Sequence, residues 1–168
     1  MLSRRGLLLS AGAALAVLGA GAVAARLPPA GPGLRVLSAE EAARCEAFGD
    51  ALFPPDSPLG VSASAVGLGG RVDRLCSQVF EPEVVMAFRL ALRTLEYATV
   101  VTEGATFSAL PLARRRALLR DWSTPDPLPR RLLLDLLRMA LGIAFFNAPQ
   151  AREAVGAQPA CGSTEEDA

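Results

Sequence analysis

The sequence predicts an all-α fold, a single-domain bundle of about five helices that follows an N-terminal export signal. Beyond the signal, apolar residues recur at intervals of three and four, which is the period of an amphipathic helix. Prolines and short polar clusters separate these segments, and no alternating apolar pattern is long enough to predict a strand. About 135 residues remain after the first 33, which is enough for one core and too few for two ordinary domains.

The chain begins with the layout of an export signal. Arg4 and Arg5 precede an uncharged run over residues 6–25 that is rich in Gly, Ala and Leu. A basic start, an apolar middle and small residues at a cleavage site are typical of signal peptides. The paired arginines indicate the twin-arginine type, which the translocon for already folded proteins recognises. We therefore predict a signal over 1–25 and a Pro/Gly-rich linker over 26–36.

A retained membrane anchor is the alternative to a cleaved signal, because the apolar run is about long enough to span a bilayer. Two observations favour cleavage. Ala and Gly insert into membranes less favourably than Leu or Ile, and small residues at 20–22 and 22–24 have the spacing of a cleavage site. In both cases we expect a periplasmic or extracytoplasmic protein, either released or membrane-associated.

The first two helices of the domain are predicted by their ends. Ser38 and Glu41 form a capping-box pattern, so a helix over 39–53 is expected, and Pro54 stops it. A second helix is predicted over 65–79, although three glycines dilute its apolar pattern.

Three more helices follow. One is predicted over 82–101 because Pro82 suits a first helical turn, and Pro111 opens the next. The segment 129–146 is the most hydrophobic, and we expect it to be the central helix of the bundle. Asp135 and Arg138 are predicted to pair along one edge of it. The domain is expected to cover 37–156 and to end in a short turn over 149–155, with a disordered tail over 157–168.

Composition excludes several classes of function. The chain has no histidine, which removes the commonest general base and metal ligand and rules out Ser-His-Asp and Cys-His machinery. Three cysteines are too few and too scattered for a zinc site, and no Gly-rich phosphate loop is present. Without Arg4, Arg5 and Arg26, 14 basic residues face 17 acidic ones, so a nucleic-acid partner is not expected. We predict no catalytic, cofactor-binding or metal-ligating residue.

The remaining polar candidates have structural interpretations. In an oxidising compartment Cys45 and Cys76 are a candidate disulfide that would contribute about 2–4 kcal/mol, with Cys161 left over. Free buried thiols are the equal alternative. Asp73 lies in a regular helix with arginines beside it, so an ion pair at the surface or at the edge of the helix is expected.

Several segments, taken in order, resemble one family. They are Leu37-Ser38-Ala39-Glu40-Glu41, Leu52-Phe53-Pro54-Pro55-Asp56, Arg71-Val72-Asp73-Arg74-Leu75, Phe107-Ser108-Ala109-Leu110-Pro111 with Arg115, Leu119 and Trp122, and Phe145-Phe146-Asn147-Ala148-Pro149 with Ala154-Val155-Gly156. Together with the export signal, their order and spacing are similar to the gluconate 2-dehydrogenase subunit 3 family. These are small subunits found beside flavin dehydrogenases of the glucose-methanol-choline family.

The resemblance implies a non-catalytic partner. In that family the large subunit holds FAD and performs the oxidation, and a cytochrome c subunit takes the electrons where one is present. The small subunit carries the signal and supports folding or export of the large one. This chain lacks the Y-G-G-N closing run of the gluconate enzymes, which leaves the substrate open.

The candidate partner contacts are aromatic. Phe145 and Phe146 point about 100° apart on one helix, so one is expected in the core and the other is a candidate anchor, together with Trp122. The alternative is that both phenylalanines are buried in the core of this chain. A self-sufficient exported or membrane-anchored structural protein is the alternative function. An enzyme that uses the thiol of Cys45 or Cys76 is disfavoured, because no histidine is present to activate it.

Overall fold

A computed structural model describes residues 27–123 and 128–156, and in this part of the chain all regular structure is helical. The helices are α1 Ala39–Leu52, α2 Leu68–Gln78, α3 Pro82–Tyr97, α4 Leu112–Asp121, α5 Leu128–Phe146 and the short α6 Pro149–Ala154. A helical turn at Val100–Glu103 and a 3-10 turn at Phe107–Ala109 join α3 to α4. The all-α prediction is confirmed. The predicted signal and the predicted tail lie outside the described residues.

The helix boundaries follow local chemistry. At the start of α1 the Ser38 hydroxyl accepts the Glu41 N–H, and the Glu41 carboxylate accepts the Ser38 N–H, so the predicted capping box is confirmed. α2 begins three residues later than predicted, because Gly67 has a φ of 61° and ends a turn immediately before the helix. α3 ends at Tyr97 rather than at residue 101, and the chain then forms a separate helical turn that ends at Gly104.

Helix α1 lies at the centre of the bundle. It contacts α2, α3, α4 and the 3-10 turn, and Phe48 on its buried side is fully enclosed. The ring of Phe48 stacks on that of Phe107, with centroids 3.9 Å apart. Full burial of a phenylalanine contributes about 2–3 kcal/mol, so this stack fixes the 3-10 turn on α1.

Helix α5 is not the central helix, and that prediction is wrong. One side packs against α3 and α2 through fully buried residues, which include Leu134, Leu137, Leu141 and Phe145. The opposite side is open to solvent and still carries large apolar residues. The bundle therefore buries only one side of its most hydrophobic helix.

Candidate functional site

Residues 27–38 pack across the helical body, and we refer to them as the strap. The Gly31 N–H donates to the Leu37 carbonyl at 2.9 Å, and the Leu34 N–H donates to the Gly31 carbonyl at 3.0 Å. Gly33 turns the chain with a φ of 75°. Residues 26–36 were expected to be a linker, but the described part of that range, which begins at residue 27, is held to the body. The reason lies in two buried side chains, one on α2 and one on α3.

Asp73 on α2 holds the C-terminal half of the strap. Its carboxylate is 2% exposed and accepts three backbone N–H groups, those of Arg35 at 2.8 Å, Val36 at 2.8 Å and Leu37 at 2.9 Å. Burial alone would raise the pKa of Asp73, but the three hydrogen bonds and the nearby Arg35 charge outweigh it, so the pKa is lowered. The prediction of an ion pair for Asp73 is wrong, because its carboxylate binds backbone N–H groups instead.

Arg89 on α3 holds the N-terminal half of the strap. Its guanidinium donates to the Pro28 carbonyl at 2.6 Å and to the Glu41 carboxylate at 2.8 and 3.1 Å. Arg89 is 9% exposed and Glu41 is fully buried. Glu41 also caps α1 through the Ser38 N–H. Removal of one partner of such a buried pair costs about 3–5 kcal/mol, because the other charge is left unpaired.

The strap depends on the packed fold. The side chains that bind it come from α1, α2 and α3, so its hydrogen bonds can form only after these three helices have packed together. The fit is also tight, since a Cβ on Gly31 would lie 2.6 Å from the backbone nitrogen of Ala39. A residue with a side chain cannot occupy that position without moving the strap.

The open side of α5 carries a row of apolar side chains that we call the outward stripe. Leu132 is 60% exposed, Met139 51%, Ile143 41% and Phe146 42%. At 100° per residue these four positions fall within about 60° of arc, opposite the buried side of the helix. Asp135 lies beside the stripe, 3.6 Å from Arg131 and 3.8 Å from Arg138, which confirms the predicted pairing of Asp135 with Arg138.

Of the three aromatic candidates for a partner contact, only Phe146 is exposed. Phe145 is fully buried and stacks on Phe53 at 4.1 Å, and Trp122 is 7% exposed beside Phe107. These two therefore belong to the core in this structure, and contact with a partner stays a prediction for Phe146. The other three members of the stripe were not named as candidates, because the density of apolar residues over 132–146 does not show which of them face outward.

The cysteines offer little chemistry. Cys45 and Cys76 are buried free thiols. Burial, with smaller contributions from nearby acidic groups, raises the pKa of Cys45 well above its usual value and that of Cys76 to about 12. The raised pKa keeps both thiols protonated at physiological pH, and the thiolate is the nucleophilic form. Their predicted disulfide stays a prediction, and Cys161 lies outside the described residues.

The described residues offer neither a metal cluster nor a membrane-spanning helix. Among them no cluster of three or more histidine, cysteine or acidic side chains has the arrangement to hold a metal ion. Across the same ranges, 27–123 and 128–156, no helix combines the length and apolar character that a membrane span requires.

Comparison with known proteins identifies the family. The family described as Gluconate 2-dehydrogenase subunit 3 matches residues 39–154, which includes every helix from α1 to α6. No curated protein and no solved structure matches the chain. Because the match covers more than half of the sequence, the chain belongs to the gluconate 2-dehydrogenase subunit 3 family, which is named for a subunit of a dehydrogenase complex.

Proposed function

We propose that this protein is a non-catalytic small subunit of an FAD-dependent dehydrogenase of the glucose-methanol-choline family. It docks on the large subunit and supports that subunit's folding and its export by the twin-arginine translocon. Family membership supports a place in a dehydrogenase complex. The strap is the observation that carries the export role.

The strap supports this role because it joins the predicted signal to the folded body over a very short distance. The signal is predicted to end at residue 25, and the Arg89 guanidinium already holds the Pro28 carbonyl at 2.6 Å. Only a few residues therefore separate the signal from a buried anchoring point. Since twin-arginine transport carries folded proteins, a partner bound to this body would be exported with it.

The buried polar groups support a non-catalytic role, because the fold already uses them. Glu96 is 2% exposed, and its carboxylate accepts two hydrogen bonds from Ser108, one from the backbone N–H at 3.2 Å and one from the side-chain hydroxyl at 2.5 Å. Asp73 and Glu41 hold the strap, as described above. No buried carboxylate in residues 27–123 and 128–156 is left to act as a general base. The flavin and the oxidation belong to the partner subunit, and a cytochrome c subunit would accept the electrons where one is present.

The experiment compares the isolated chain with the complex. Purified alone, the protein should show no flavin absorbance and should not reduce an electron-accepting dye. Purified together with the large flavoprotein subunit from the same organism, it should form a complex that contains FAD and reduces the dye. Dye reduction by the isolated chain would refute the non-catalytic role. A monodisperse monomer that never binds the large subunit would instead support a self-sufficient exported protein.

A further inference from the structure

The outward stripe of α5 is an apolar surface that the fold itself does not use. Each half-exposed side chain offers about 100 Å² of apolar area, so the four members expose on the order of 400 Å² together. This is the size of the largest apolar patch on a typical soluble domain, and such patches are often functional.

We propose that the outward stripe is the surface on which the large FAD-containing dehydrogenase subunit docks. This inference rests on the proposed function and adds the contact surface to it. Leu132, Met139, Ile143 and Phe146 follow one another at intervals of seven, four and three residues. This is the spacing with which a helix presents its anchors to an apolar groove of a partner. The chain belongs to a family named for a subunit of a dehydrogenase complex, which favours another subunit of such a complex as the occupant.

A second copy of this chain is a poorer occupant. Two stripes facing each other would bury about 800 Å² in total, whereas stable specific interfaces start at about 1,200 Å². A large subunit can supply the remaining area without the flanks of α5 having to be complementary to themselves, as a symmetric pair of copies requires.

The charges beside the stripe indicate what the partner groove carries. Arg131 and Arg138 are 49% and 35% exposed, and Asp135 is the carboxylate near both of them. The Arg138 guanidinium also donates to the Leu119 carbonyl at 3.3 Å and to the Ser123 hydroxyl at 2.5 Å, which leaves Arg131 as the more available positive charge beside the stripe. The groove that receives the stripe should be apolar along its floor and should carry a carboxylate at the matching edge.

The test uses the full chain co-expressed with the affinity-tagged large flavoprotein subunit from the same organism. The variant is the double substitution Leu132→Glu and Met139→Glu, which places one charge at the N-terminal end of the stripe and one within it. Its matched control is Val100→Glu with Val101→Glu, because these valines are 42% and 93% exposed and lie in the helical turn after α3, outside α5. We expect the stripe variant to reduce co-purification at least tenfold and the control to leave it unchanged.

A second measurement keeps the test valid if the stripe variant folds poorly. Hydrogen exchange of the unsubstituted chain should slow over residues 132–146 when the large subunit binds. Unchanged exchange there, or full co-purification of a well-folded stripe variant, would overturn the docking surface while the proposed function stands. A homodimer that only the stripe variant loses would also overturn it in favour of a second copy. No complex with the unsubstituted chain would remove both proposals.

Discussion

Replacement of Asp73 by Asn should release the strap. In the structure Oδ1 accepts the N–H groups of Val36 and Leu37, and Oδ2 accepts that of Arg35. An asparagine keeps one acceptor oxygen and turns an NH2 group toward the remaining N–H. A hydrogen bond to a charged group contributes about 1.5–3 kcal/mol, so the lost bond and the weakening of the other two should cost about 3 kcal/mol. That energy corresponds to a roughly 100-fold larger population of molecules in which the strap is detached from the body.

Trypsin measures the opening, because the Arg35–Val36 bond lies inside the strap and its backbone is held by Asp73. Cleavage in the D73N variant should be about 100-fold faster than in the unsubstituted protein when it tracks the open population. The control is Asp135→Asn, which removes an exposed carboxylate with weak ion pairs and should change the free energy of unfolding by less than about 1 kcal/mol. Equal cleavage rates for D73N and the unsubstituted protein would refute the role of this carboxylate.

The direction of the Asp73 pKa shift predicts how the stability of the strap changes with pH. The pKa of Asp73 is lower in the folded protein than in the unfolded chain, so the folded state binds this proton less readily. Its contribution to stability is therefore complete above about pH 4, the usual range of an aspartate, and is lost as the pH falls through the lower folded value. Acid should loosen the strap of the unsubstituted protein and should affect D73N less.

Three further predictions concern the signal, the strap and the thiols. Conversion of Arg4 and Arg5 to Lys should keep the protein in the cytoplasm, and unchanged extracytoplasmic levels would remove the twin-arginine interpretation. Gly31→Ala should cost about 1–3 kcal/mol in a urea melt, because its Cβ would meet the Ala39 backbone at 2.6 Å. Gly33→Ala, with open space around it, should cost only about 1 kcal/mol from its φ of 75°. With Cys161 replaced by Ser, the thiols of Cys45 and Cys76 should resist Ellman's reagent at pH 8 until the protein is unfolded, and rapid native labelling would contradict their burial.

The sequence predicted best the features that local chemistry determines. The capping box at Ser38 and Glu41 acts over three residues, and both of its hydrogen bonds are present. Proline at the start of α3 likewise marked that helix correctly. A predicted helix boundary differed from the observed one where the backbone leaves the helical conformation. Gly67 is left-handed, so α2 begins only after it, at Leu68.

The sequence could not predict contacts between distant segments. Asp73 lies 36 to 38 residues from the three N–H groups that it binds, while arginines lie directly beside it in the chain. An ion pair was the natural expectation, and only the packed structure shows that the strap occupies the carboxylate. A Pro/Gly-rich composition similarly suggested a linker, although Gly31 serves a close approach to Ala39.

Helix α5 shows a different limit. Its apolar residues indicated burial, and one side is buried, but a pattern cannot show how many neighbours a helix has. The structure places α2 and α3 on one side and leaves Leu132 and Met139 exposed. The apolar residues that the bundle leaves exposed are the observation from which we propose a docking surface.

The most direct test of the proposed function is where the large subunit accumulates. FAD-loaded dehydrogenase activity should be measured in the extracytoplasmic fraction of cells that express the large flavoprotein subunit with or without this chain. We expect activity there only when the chain is present with Arg4 and Arg5 intact, while the large subunit alone stays inside. Full extracytoplasmic activity in cells that lack this chain would contradict its role as the subunit that carries the dehydrogenase out.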